Sequence, residues 1–215
     1  MSRTRILIFA KAPVPGRVKT RLIAALGAAG AAQLARRMLE HTLGQVLEAG
    51  IGPVELCASP AVSDPDWSDY PLPHGVETSN QGEGDLGERM ARAAQRGLAN
   101  GQNMLLIGTD CPGLSARHLR AAAAALENHE AAIYRALDGG YPLLGLRTFH
   151  PSLFAAIPWS TSSVAELTLA RMQALAWRVW LGDTLADIDE PADLVHLPAH
   201  LHPDACPPFK GAEPC

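Results

Sequence analysis

Four cationic side chains fall close together near the start of the chain, in Lys11-Ala-Pro-Val-Pro-Gly-Arg17-Val-Lys19-Thr-Arg21. The whole chain has only three lysines, and two of them are in this segment. It follows an apolar run, Arg5 to Ala10, that reads as a buried strand, and it precedes a long helical stretch. In an open α/β sheet, ligands bind outside the carboxyl ends of strands. A helix start there adds backbone N–H groups suited to phosphate. Lys11, Arg17, Lys19 and Arg21 are therefore candidates for holding a nucleoside diphosphate or triphosphate. A Walker A loop is excluded, because it needs glycine directly before the lysine and another five residues earlier, where Val18 and Pro13 stand.

Acidic residues supply the complementary chemistry. Asp110, in Gly108-Thr-Asp-Cys-Pro-Gly, follows the most apolar strand-like run, Met104 to Thr109. Mg²⁺ takes one or two carboxylates and completes its shell with phosphate oxygens and water, so Asp110 is a candidate ligand; it is also a good turn cap. Asp187 and Asp189, in Asp187-Ile-Asp-Glu-Pro-Ala-Asp193, point to one side if that segment is extended. The competing role is capping, with Asp189 and Glu190 at the start of a short helix carrying Pro191 near its first position.

Asp138-Gly139-Gly140-Tyr141 reads as a turn between two strands, and the paired glycines also permit close approach of a ligand. The glycines of Gln81 to Arg89 lack the spacing of a dinucleotide fingerprint. His196, His200, His202 and Cys206 form a zinc set on paper, but their Pro-rich setting favours solvated histidines.

The elements that must position these groups alternate. Strands are expected at Arg5–Ala10, Val54–Ser59, Met104–Thr109, Ala131–Ala136, Tyr141–Arg147 and Trp177–Leu181. Between them lie a long helix with a stripe at Leu34, Met38, Leu39, Thr42, Leu43, Val46 and Leu47, stopped at Gly50, and helices over Leu86–Leu98, from Ser115 to about Glu127, and over Ser162–Ala176. A short helix follows Pro191. Pro60 to Pro73 reads as a long loop. This order predicts one α/β domain with a mostly parallel central sheet flanked by helices, over residues 1–197, and a Pro-rich tail over 198–215.

Composition bounds the partners. At 215 residues with 47% hydrophobic residues the chain suits one sizeable core. A net charge of −4 leaves no general footprint for nucleic acid or an anionic membrane surface. No apolar run reaches the roughly 20 residues a membrane helix needs, and Ile6–Ala10 is too short for a secretory signal, so a cytoplasmic protein with no membrane insertion is expected. Cys57, Cys111, Cys206 and Cys215 show no CxxC spacing, which argues against a zinc ribbon or disulfide framework.

Together, FAKAPVPGRVKTRL (9–22), GDLGERM (84–90), GTDCPGL (108–114), DGGYPLLGL (138–146), IPWST (157–161) and DIDEPADL (187–194) resemble a bacterial family, domain of unknown function 2064. It comprises small GT-A-like glycosyltransferases of the radical-SAM/selenodomain-associated and arsenosugar-biosynthesis type. The motifs are also similar to those of 2-phospho-lactate guanylyltransferases. The resemblance implies the single-domain fold of nucleotide-diphospho-sugar transferases and transfer with Mg²⁺ or Mn²⁺. It places Asp110, Asp187 and Asp189 on the metal, and Lys11, Arg17, Lys19 and Arg21 on the nucleotide phosphates. Asp138, Gly139, Gly140, Tyr141 and Trp159 fall on the acceptor or sugar side. The expected partners are a nucleotide sugar or NTP and a small acceptor. Nucleotidyl transfer and non-catalytic nucleotide binding are the alternatives.

Overall fold

The computed structural model describes residues 4–99 and 101–202. Strand β1 (Thr4–Lys11) lies inside the sheet, its Ile6, Leu7 and Ile8 side chains fully buried. It pairs in parallel with β2 (Val54–Ser59) on one side and β4 (Asn103–Ile107) on the other. With β3 (Val76–Asn80), β5 (Ala131–Ala136), β6 (Leu143–Leu146) and β7 (Val179–Leu185), these make a seven-stranded sheet ordered β3-β2-β1-β4-β6-β5-β7. Only β6 runs antiparallel to its neighbours. The connection from β1 runs outward to β2, whereas β4 lies on the other side of β1. The carboxyl ends of β1 and β4 thus flank the point where strand order reverses, the usual crevice for ligands in such sheets.

Helices cover both faces. Helix α1 (Ile23–Ala49) buries Leu39, Leu43 and Val46 together with Leu119 and Ala122 of α3 (Ala116–Ala125) against one face of the sheet. Helix α2 (Leu86–Leu98) contributes Met90, Ala93 and Ala94, and α4 (Val164–Ala174) contributes Met172, to the core on the other. The ends are chemically set. Asp85 and Glu88 exchange backbone bonds in a capping box at the start of α2. Gly50 takes φ 61° at the end of α1, a left-handed stop that glycine adopts without strain.

The expected order of elements is present, with physical departures. β3 is not among the strands that the sequence pattern predicts; it is an edge strand with a single partner, so its sequence Val76-Glu-Thr-Ser-Asn lacks the apolar signature of a buried strand. Leu47 is exposed and leaves the α1 stripe. The helix after Pro191 is a 3₁₀ helix, Pro191–His196, capped by Glu190 and Asp193 rather than by Asp189.

Ordered packing continues past residue 197. Leu197 and Leu201 are buried with Leu22, Leu34, Met38 and Ile188 in a cluster beneath the site described below, and Arg37 donates to the His202 carbonyl at 2.9 Å. Five residues of the segment expected as a tail therefore belong to the fold, because Leu201 finds an apolar seat on α1; the rest, 203–215, lies outside the described residues. Burying a leucine side chain is worth roughly 1.5–3 kcal/mol. Removal of residues 198–215, or Leu201→Ala alone, is therefore expected to lower Tm by roughly 3–10 °C. An unchanged melting curve for both variants would refute a structural role for Leu201.

Candidate active site

The loop after β1 is pinned by buried Val18 and Leu22 and by the Ala12 N–H, which donates to the Ser59 carbonyl at 3.0 Å. Between those anchors Lys19 sits in the left-handed region, φ 47° and ψ 42°. A lysine there is strained by about 1–3 kcal/mol, a cost borne only where the surroundings over-determine it. The surroundings are the Asp110 carboxylate, 2.5 Å from Nζ, the Ile188 carbonyl, which accepts from Nζ at 2.5 Å, and Asp189 at 3.7 Å. The Lys19 side chain is only 5% exposed, whereas the Asp110 side chain is 60% exposed.

Arg21 reaches the same place, 2.9 Å from Asp189 and 3.5 Å from Glu190. The other two candidate cations are not drawn into that knot. Arg17 pairs with Asp66 at 2.5 Å, and Lys11 is exposed at the end of β1.

Asp110 and the late aspartates are brought together by backbone pairing: the Ile188 N–H donates to the Asp110 carbonyl at 2.8 Å. Ile188 itself is fully buried, so its flanking aspartates lie on the outer side of the segment. Burial, then the carboxylates of Asp138, Asp193 and Asp189, push Asp187 above the ordinary carboxylate range. Asp187 and Asp110 also raise the thiol of Cys111, which burial chiefly pushes up to about 11, so this cysteine is a packed and unreactive group.

A carboxylate cluster that raises the pKa of its own member is short of positive charge, and Lys19 supplies part of it. Among the described residues no three His, Cys, Asp or Glu side chains converge as a closed metal cage would require. Mg²⁺ or Mn²⁺ needs only one or two carboxylates and completes its shell with phosphate oxygens and water; Asp110 and Asp189, both partly exposed beside Lys19 Nζ, are of that chemical type.

The Asp138 turn approaches from the antiparallel side of the sheet. Asp138 Oδ1 accepts from the Gly140 N–H at 2.7 Å. Gly139 has φ 88°, and a Cβ there would lie 2.0 Å from the Ser162 carbonyl oxygen, so only glycine fits. The turn is joined to the Asp110 loop by the Gly108 N–H, 3.3 Å from the Pro142 carbonyl. Tyr141 turns its hydroxyl into the protein beside Thr168, where it is buried without a hydrogen-bond partner among the described residues. Its ring packs, partly buried, against the core on the α2 and α4 side of the sheet. Trp159 packs on the first turn of α2, where an added Cβ at Gly87 would meet its Nε1 at 2.6 Å.

Two contributors were not singled out from the sequence. The buried Gln81 side chain donates to the carbonyls of Ala10 at 3.2 Å and Cys57 at 2.9 Å, fastening the carboxyl ends of β1 and β2 beside the cationic loop. Arg92 binds the carbonyls of Gln81 and Glu83, holding the turn in which Gly82 and Gly84 take positive φ. The Gln-Gly-x-Gly pattern was the available signal. Of the tail histidines, His200 Nε2 meets His41 Nδ1 at 3.2 Å, and His41 Nε2 donates to the Pro112 carbonyl at 3.0 Å. Cavities of about 450 and 300 Å³ flank edge strand β7, and none of the predicted site residues lines either.

Comparison with known proteins places the fold and the family. A provisionally named nucleotide-diphospho-sugar transferase from Desulfovibrio desulfuricans G20 is 33% identical, with 90% of this chain and 85% of that one covered and a TM-score of 0.83. At 12% identity, CMP:2-keto-3-deoxy-manno-octonic acid synthetase complexed with CTP shares the fold over 91% of this chain and 96% of that one, TM-score 0.57. A manganese complex of Rv0371c from Mycobacterium tuberculosis H37Rv, 17% identical, covers 91% of this chain and 97% of that one, TM-score 0.50. No curated protein matches. The chain has the fold of the nucleotide-diphospho-sugar transferases. The profile of a family described as uncharacterized proteins conserved in bacteria (DUF2064) matches residues 42–161, more than half of the length, and the chain belongs to that family.

Proposed function

We propose that the chain is a transferase that binds a nucleotide-diphospho-sugar, with Mg²⁺ or Mn²⁺, in the crevice between the carboxyl ends of β1 and β4, and passes the glycosyl group to a small acceptor. The observation that carries this reading is Lys19, a strained and nearly buried lysine whose ammonium joins Asp110 to Asp189 at the reversal of strand order. Lys19 and Arg21 bind the phosphates, with Arg17 and Lys11 at the rim. Preorganised cations of this kind stabilise charge that builds up on the departing nucleotide. Asp110, Asp187 and Asp189 would hold the metal, whose bound form supplies Lewis acidity toward the diphosphate. Asp138, close enough to Asp187 to raise its pKa, takes the proton of the acceptor hydroxyl. Gly139, Gly140, Tyr141 and Trp159 line the acceptor side. No helix among the described residues is long and apolar enough to cross a membrane.

Nucleotidyl transfer from an NTP is the second reading. It is favoured by the number of cations around the loop, which suits a triphosphate, and by the CTP held in a protein of the same fold. A thermal-shift panel of UDP-, GDP- and CDP-sugars against the four NTPs, each with and without Mg²⁺ or Mn²⁺, separates the readings. A ligand at about 100 times its Kd stabilises by about 2.7 kcal/mol, or roughly 5–10 °C for a chain of this size. We expect that shift with one nucleotide sugar, dependent on metal and absent in Asp110→Ala. A shift confined to NTPs selects nucleotidyl transfer. A metal-independent shift that Asp110→Ala retains selects non-catalytic binding, and no shift with any ligand overturns the proposal.

A further inference from the structure

Helix α4 carries an arginine that makes no ion pair among the described residues. Instead, the Arg171 guanidinium donates to the carbonyls of Ser152 and Ala155, and at 3.1 Å to that of Ala156. These are carbonyls at the end of the short 3₁₀ turn Pro151–Leu153 and just beyond it, where the chain has no helical donors left to offer. The segment that follows is strained on both sides of Trp159: Ala156 has φ 50° and Ser160 has φ 64°, conformations uncommon for residues with a side chain. Ile157 is buried, the Trp159 N–H donates to the Ile157 carbonyl at 2.9 Å, and Thr161 Oγ1 donates to the Pro158 carbonyl at 2.7 Å.

The segment touches both neighbours of the acceptor side. Trp159 lies on Gly87 at the start of α2, and Ser162 lies against Gly139 in the Asp138 turn. The Ala165 N–H donates to the Gly139 carbonyl at 2.9 Å, so α4 itself fastens that turn. Neither Gly87 nor Gly139 has room for a Cβ, so a small shift of the segment must move Trp159, the turn, or both.

We propose that Arg171 is a positioning residue for the acceptor side: by holding the carbonyls of residues 152, 155 and 156 it fixes the strained segment 155–163 and, through it, sets Trp159 and the Asp138–Gly140 turn relative to each other. The acceptor assignment of those two groups rests on the proposed transferase; the mechanical role of Arg171 does not. A planar, always-charged fork with several donors suits three neighbouring carbonyls, whereas lysine offers a compact point charge on a different reach.

The test uses the full chain labelled with 5-fluorotryptophan, whose four tryptophan resonances include one assigned to Trp159 by its loss in Trp159→Phe, together with hydrogen exchange read by mass spectrometry. In Arg171→Ala the Trp159 resonance is expected to shift or split, while those of Trp67, Trp177 and Trp180 stay in place. Exchange of peptides covering 154–163 and 136–141 should quicken roughly 10- to 100-fold, the effect of losing charge-assisted hydrogen bonds. Peptides of β1, β4 and the Lys11–Arg21 loop should be unchanged. Arg171→Lys should restore part of both effects.

An unmoved Trp159 resonance, or unchanged exchange at 136–141, overturns the proposal. So does a general change at all four tryptophans, which marks Arg171 as an ordinary packing residue. The nucleotide and metal panel described above, run on Arg171→Ala, should give the wild-type shift; loss of it would move the segment to the nucleotide side and overturn the acceptor assignment. If the wild type itself binds no nucleotide, the transferase reading fails, while the fluorine and exchange results still decide the role of Arg171.

Discussion

Replacing Lys19 by methionine is expected to lower nucleotide affinity roughly 10- to 100-fold, because a hydrogen bond to a charged group in such a setting is worth about 1.5–3 kcal/mol. The fold should tolerate the change. Asp110 is 60% exposed and stays hydrated when its partner leaves, and Asp189 keeps Arg21 at 2.9 Å. Methionine retains the left-handed strain at position 19, which Lys19→Gly would relieve. The pair of variants thus separates backbone from charge: both should bind nucleotide weakly, and only the glycine variant should melt at or above the wild-type temperature. Isothermal titration with the nucleotide that stabilises the wild type reads the affinity. Wild-type affinity in Lys19→Met would remove this lysine from the phosphate site. Without Lys19 the carboxylates of Asp110, Asp187 and Asp189 also lose a counter-charge, so nucleotide-free protein should bind Mn²⁺ more tightly, measurable by electron paramagnetic resonance.

How much of this was legible in the sequence depends on what each residue is asked to do. Strands β2 and β5 and helix α2 coincide with their expected bounds because apolar runs and turn residues mark both ends. β3 was invisible because an edge strand satisfies only one neighbour and can be polar. Asp110, Lys19 and Asp189 stand out in the sequence by type and position, the resemblance to the DUF2064 family implies one site for them, and the structure brings the three side chains together. Their meeting at Lys19 was not legible, since nothing local says which of four cations turns inward. The answer came from Val18 and Leu22, whose burial on either side forces Lys19 into the left-handed region and beneath the surface. Gln81 and Arg171 escaped for a related reason. Both act on backbone carbonyls far along the chain, and such bonds leave no periodicity or spacing to read.

Shortening Ile188 to alanine should damage fold and site together. Its side chain is fully buried with Leu22, Ala31, Leu34, Met38, Leu197 and Leu201, so the truncation leaves a cavity and is expected to cost about 2–5 kcal/mol. Against a total of about 5–15 kcal/mol for a typical domain, that is a large share, and Tm should fall by roughly 5–20 °C. Ile188→Val should cost only about 0.5–1.5 kcal/mol. The backbone of the same residue donates to the Asp110 carbonyl at 2.8 Å and accepts from Lys19 at 2.5 Å. The buried side chain therefore acts as the peg that sets the height of Asp187 and Asp189 against Asp110. Alanine should weaken metal-dependent nucleotide binding in the protein that remains folded, measured well below its lowered Tm, whereas valine should leave it near the wild-type level. A stable Ile188→Ala protein would refute the packing argument. A destabilised one with wild-type nucleotide affinity would show that the aspartates hold their places without the peg.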